Sequence, residues 1–99
     1  MLTEKIAQEI VIAMKAGDSF RVGTLRMVSA ALHNKEIEKK SKGKESELTD
    51  EEAIEVFIKE AKKRKEAIEI YAKAGRQELA DKEKKELEII SAYLPEQMG

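Results

Sequence analysis

Ninety-nine residues, 41% hydrophobic and 39% charged, with no cysteine, no tryptophan and a formal charge of −1, are enough for one domain and too few for two. Disulfides, thiolate metal sites and cysteine nucleophiles are excluded, and the near-zero charge means that a nucleic-acid role needs basic residues gathered on one face. No apolar run approaches the roughly 18 residues of a membrane span, and Met1–Ala16 carries too many charges for a secretory signal, so the chain reads as cytoplasmic with no membrane partner.

The predicted elements are all helical, because Ala, Glu, Lys, Leu and Ile dominate and only one proline is present. The first helix is expected over 3–16: Thr3 is the candidate cap, Ile6, Ile10, Ala13 and Met14 share a face, and Gly17 is the stop. Asp18 then caps a second helix over 19–39. Two of its faces are apolar, one with Val22, Leu25, Val28 and Leu32, the other with Phe20, Thr24, Met27 and Ala31, which predicts a central, well-buried helix. Gly23 and Ala30 give it a small-residue surface, read as packing.

Ser41–Glu47 has no apolar residue and is expected to be a mobile loop. Thr49 and Glu52 form a capping box that opens the third helix over 50–74, with Ile54, Phe57, Ile58, Ala61, Ile68, Tyr71 and Ala72 on one face and Gly75 as the stop. Leu79, Leu87, Ile90 and Leu94 mark a fourth helix over 77–93, ended by Pro95. The fold class is therefore all-α, a four-helix, bundle-like single domain over residues 1–99 with a central second helix.

The residue inventory assembles no catalytic centre. His33 is the only histidine; Ser29 lies one turn before it, but no third group completes a triad. Asp50-Glu51-Glu52 and Glu83-Glu86-Glu88 read as solvated carboxylates on exposed turns. No phosphate-binding glycine loop occurs. No catalytic residue, cofactor or metal ligand is assigned.

Lys62-Lys63-Arg64-Lys65 is the one dense basic run, and helical geometry splits it. Lys62 and Lys63 point away from the apolar face, while Arg64 aligns with Phe57 and Tyr71, where its stem lies on apolar surface and its guanidinium seeks a carboxylate or an aromatic face, a structural ion pair being the expected outcome. Arg26 sits between the two faces of helix two and is expected to be paired. Arg76, just past the Gly75 stop, is expected to be exposed. Lys62, Lys63, Arg64, Arg76 and Arg26 are the candidate contacts for a partner.

Seven fragments in order, M-K-A-G-D (Met14 to Asp18), T-L-R-M (Thr24 to Met27), N-K-E-I (Asn34 to Ile37), L-T-D-E-E (Leu48 to Glu52), K-K-R-K-E-A-I-E (Lys62 to Glu69), A-G-R-Q-E-L (Ala74 to Leu79) and Y-L-P-E-Q (Tyr93 to Gln97), resemble the YqeY-like family along essentially the whole chain. That family is related to the tail of the B subunit of tRNA-dependent amidotransferases. The resemblance implies an all-α domain, normally followed by a second small helical domain that this sequence does not include. It also implies a non-catalytic accessory module that assists tRNA binding or joins the tRNA amidation machinery. A ligase activity would be inherited by association only. The alternative is a protein–protein interaction module with no nucleic-acid role, meeting its partner through the small-residue face of helix two or through Val56 and Ile70.

Overall fold

The computed structural model describes residues 2–95, so Glu96 and Gln97 of the closing fragment lie outside the described residues. Four helices follow one another, α1 (Leu2–Lys15), α2 (Ser19–Ser41), α3 (Asp50–Lys73) and α4 (Gln77–Ser91), with no strand among the described residues. The all-α expectation holds. The chain packs as two compact units, Met1–Val56 and Phe57–Gly99, the division falling within α3.

In the first unit α1 and α2 pack against each other across a three-residue turn. Gly17 makes the turn possible: at φ +73° it takes the left-handed conformation that a side chain would disfavour. The Asp18 N–H then reaches the Ala13 carbonyl at 3.0 Å and the Gly17 N–H reaches Met14 at 3.1 Å, satisfying carbonyls that the helix end would leave bare. Asp18 starts α2 as expected, its carboxylate accepting the Arg21 N–H at 3.1 Å. Gly75 ends α3 in the same manner, with the Arg76 N–H on the Tyr71 carbonyl at 2.8 Å.

Ile6 and Ala13 of α1 and Val22, Thr24, Leu25, Val28 and Leu32 of α2 are buried. The second apolar stripe of α2 behaves differently from expectation. Thr24 is buried, its hydroxyl donating to the Phe20 carbonyl at 3.1 Å, and Ala31 is half-buried, but Phe20 and Met27 remain 36% and 42% exposed. Gly23 between them and Ala30 one turn beyond Met27 offer little side-chain area to remove from water.

Two further boundaries move. Thr3 lies inside α1 rather than capping it, and the Leu2 N–H is instead taken by the Asp50 carboxylate at 3.1 Å. One acidic side chain thereby serves the positive ends of both α1 and α3. Helix α2 continues to Ser41 because nothing interrupts it before Gly43, where the Lys44 N–H closes on the Lys39 carbonyl at 3.1 Å. The capping box is present, with the Thr49 N–H on Glu52 at 3.0 Å and the Glu52 N–H on the Thr49 hydroxyl at 3.2 Å. Leu48 and Ala53, which occupy the positions of a hydrophobic staple, are both buried.

The second unit is organised around Phe57, whose side chain is fully buried and meets the Tyr93 ring edge-on at 5.6 Å. Such a pair adds about 0.5–1.5 kcal/mol to the burial of the ring itself. Ala61, Ala80 and Ile90 complete its apolar interior. Helix α4 ends at Ser91, and two tight turns, Tyr93 N–H to Ile90 and Leu94 N–H to Ser91, lead to Pro95.

Candidate binding residues

Arg64 is buried, and its guanidinium is held by two carboxylates: Nη1 lies 2.6 Å from Glu60 Oε1, and Nε lies 3.3 Å from Glu86 Oε1. Nη1 also donates to the Glu60 carbonyl at 3.3 Å. The structural ion pair expected of Arg64 is therefore formed, one turn along its own helix and across to α4. Buried ions carry a desolvation cost that only such close, multiply bonded geometry offsets.

The carboxylate partners differ from the sequence-based expectation. Glu86 is buried and Glu83 half-buried rather than solvated. The signal was present in the spacing, since both fall at helical intervals from Ala80 and Ile90 on the stripe that α4 turns inward, while Leu79 is exposed. Burial, and then a hydrogen bond and charge repulsion from Glu86, push the Glu83 carboxyl above its ordinary range. Glu83 holds a proton toward Glu86 more readily than a surface glutamate would.

Lys63 bridges to Glu60 at 3.2 Å while 69% exposed, so its contribution is that of a surface pair. Lys62 and Arg76 are exposed and make no ion pair among the described residues. The exposed surface of α3 carries Lys59, Lys62, Lys63 and Lys65 together with Glu55, Glu66 and Glu69. The basic run thus divides into one buried structural arginine and lysines interspersed with acids.

Arg26, in the first unit, is not paired with a carboxylate among the described residues, contrary to expectation. It is exposed, and its guanidinium donates to the Met14 sulfur at 3.8 Å. A shallow apolar cleft of about 370 Å³ opens beside it, lined by Met14, Gly17, Asp18, Val22 and Gly23 among others. The packing role expected of Gly23 is also absent: both Gly23 and Ala30 are exposed, and nothing lies within 4 Å of the point a Gly23 Cβ would occupy. A glycine inside a helix costs about 1 kcal/mol relative to alanine, and no close approach among the described residues offsets it.

A third polar cluster joins α2 to the start of α3. Lys39 Nζ lies 2.7 Å from Glu52 Oε1 and 2.8 Å from the Glu47 carbonyl. The Lys39 hydrogen bond, followed by the Thr49 backbone N–H, holds the Glu52 carboxyl down at about 2. This is a helix cap locked by a cation. Among the described residues no group of three His, Cys, Asp or Glu side chains is arranged to hold a metal ion, and no helix is long and apolar enough to cross a membrane.

Residues 3–99 match the family described as Yqey-like protein. The chain belongs to the YqeY-like family. Among similar proteins, an uncharacterised protein of Schizosaccharomyces pombe is 33% identical over 91 residues, covering 92% of this chain and 70% of that protein. Proteins named altered inheritance of mitochondria protein 41, mitochondrial, are similar too. The one from Kluyveromyces lactis is 33% identical over 89% of this chain, and the one from Eremothecium gossypii is 32% identical over 90%. The YqeY-like chain spans 45% and 46% of those two proteins, about half their length.

These relatives correct the expectation of a cytoplasmic location, since several carry a mitochondrial designation. The charges of Met1–Ala16 were a weak guide, because they speak against an apolar secretory signal only, whereas organelle-targeting leaders are amphipathic and basic.

Proposed function

We propose that this YqeY-like chain is a non-catalytic helical module that works by holding a protein partner. The observation that supports this is the amount of large apolar side chain the first unit leaves in solvent: Val11, Ile12, Met14, Phe20, Met27 and Ile37 are between 36% and 60% exposed. Apolar side chains left in solvent in this number are what a partner would cover. The charge pattern favours the same reading, because an RNA-binding surface gathers cations and keeps acids away, whereas α3 intersperses them.

A second reading, an accessory role in tRNA binding or tRNA amidation, draws its support from Lys62 and Arg76, both exposed and unpaired with a carboxylate among the described residues. Titration of the chain with bulk tRNA at about 50 and about 200 mM salt separates the two. The protein-partner reading expects no saturable binding at the higher salt. Saturable binding with a steep salt slope, reduced by Lys62→Ala and Arg76→Ala, would overturn it in favour of RNA.

A further inference from the structure

We propose that the outward face of α2 is a docking seam for an amphipathic partner helix that carries carboxylates along one edge. This rests on the protein-partner reading and names the surface and the chemistry of what covers it. Phe20, Gly23, Met27, Ala30, Asn34 and Ile37 follow one another in steps of three and four, so they form a single line along the helix, roughly 25 Å long. That alternation is the spacing with which one helix receives another.

The line faces solvent. Phe20, Met27 and Ile37 are 36%, 42% and 54% exposed, while the opposite side of α2 holds the buried Leu25, Val28 and Leu32. The space above Gly23 is empty out to 4 Å and Ala30 is exposed, so a second backbone can come close at mid-seam. Methionines at positions 14 and 27 supply side chains that adapt to a partner's shape. A helix fits this surface better than a strand or a loop, because the apolar residues form one narrow stripe along a straight element.

Charge selects the partner's edge. Arg26, His33 and Lys40 recur every seven residues along one side of the seam with no acidic residue among them, and all three are exposed. Thr24, Ala31 and Glu38 border the other side. Arg26 reaches no carboxylate among the described residues and rests on the Met14 sulfur at the rim of the apolar cleft. A partner with glutamates or aspartates on the facing edge would supply what Arg26 lacks. A second copy of this chain would not: antiparallel pairing sets the basic edges against each other, and parallel pairing sets Arg26 opposite Ala31.

The test uses two synthetic helical peptides of three heptads with the same leucine seam, one flanked by glutamates and one by lysines, followed by fluorescence anisotropy. The glutamate peptide should bind, and the lysine peptide should bind at least about tenfold more weakly. Met27→Glu should weaken the glutamate peptide by about tenfold or more, and Arg26→Glu should reverse the order of preference. Unchanged thermal unfolding of both variants shows that the fold is intact. Equal affinity for the two peptides, or affinity indifferent to Met27→Glu, would overturn the seam. Binding that instead fails with Ile70→Glu would leave the protein-partner reading standing and remove this face from it. Absence of binding by either peptide overturns the proposal, and a dimer in sedimentation that Met27→Glu dissociates would identify the occupant as a second copy.

Discussion

Lys39 Nζ and Glu52 Oε1 lie 2.7 Å apart, joining the last turns of α2 to the first turn of α3 through the same carboxylate that receives the Thr49 N–H. One glutamate therefore closes a helix cap and fixes a connection between helices. Its two roles can be separated by mutation. Thr49→Ala should destabilise the fold by about 0.5–2 kcal/mol, the range for a lost cap. Glu52→Ala should cost less in the Thr49→Ala background than alone, but should retain a residual cost there because Lys39 loses its partner in both backgrounds. Urea denaturation of the four proteins in the cycle measures both quantities.

The same carboxylate sets an acid limb. Its folded value of about 2 lies below the ordinary 4.5, so the stabilisation is complete above about 4.5 and is lost as pH falls toward 2. Glu52→Gln should start from lower stability at neutral pH and show a shallower decline through that window. Denaturant midpoints at intervals between pH 7 and 2 check this.

Glu83 titrates with the opposite sign. Its folded carboxyl is raised by burial and by Glu86, so its contribution is fully present below about 4.5 and is lost as pH rises through the raised value. Glu83→Gln keeps a hydrogen-bond donor toward Glu86 without taking up charge. The variant should therefore be more stable than the parent at pH 7 and lose that advantage toward pH 4, as read by thermal unfolding at the two pH values.

Arg64 and Lys62 should part company in stability measurements. Arg64→Ala leaves the buried Glu86 without its cation and Glu60 with only the exposed Lys63, and should cost about 3–5 kcal/mol. Lys62→Ala removes an exposed side chain and should leave the unfolding midpoint nearly unchanged. Glu86→Gln combined with Arg64→Met should recover part of the Arg64→Ala loss, because it replaces stranded charge with neutral groups of similar volume.

Local signals in the sequence carried most of the fold. The Thr49/Glu52 box, the Asp18 cap and the Gly17 and Gly75 stops depend on residues a few positions apart, so pattern and structure agree there. Thr3 was misread because its competitor for the start of α1, Asp50, is 48 residues away. The destination of a side chain across helices was harder to see. Arg64 is legible as a paired arginine from its place beside Phe57 and Tyr71, yet its partner Glu86 reads as a solvated acid, because its charge masks its position on the inward stripe of α4. Gly23, Met27 and Phe20 suggested a covered face because apolar periodicity reports that a face can be buried, and what buries it lies outside the pattern.

Partner contact is expected along the apolar seam of α2 and not along the basic run of α3. A photo-activatable p-benzoylphenylalanine placed at Met27, and separately at Lys62, tests this in an extract of the cells from which the protein comes. An RNase-resistant protein adduct is expected from position 27, mapping by mass spectrometry to an amphipathic helix with an acidic edge, and little from position 62. An RNase-sensitive adduct at position 62 with none at position 27 would contradict it.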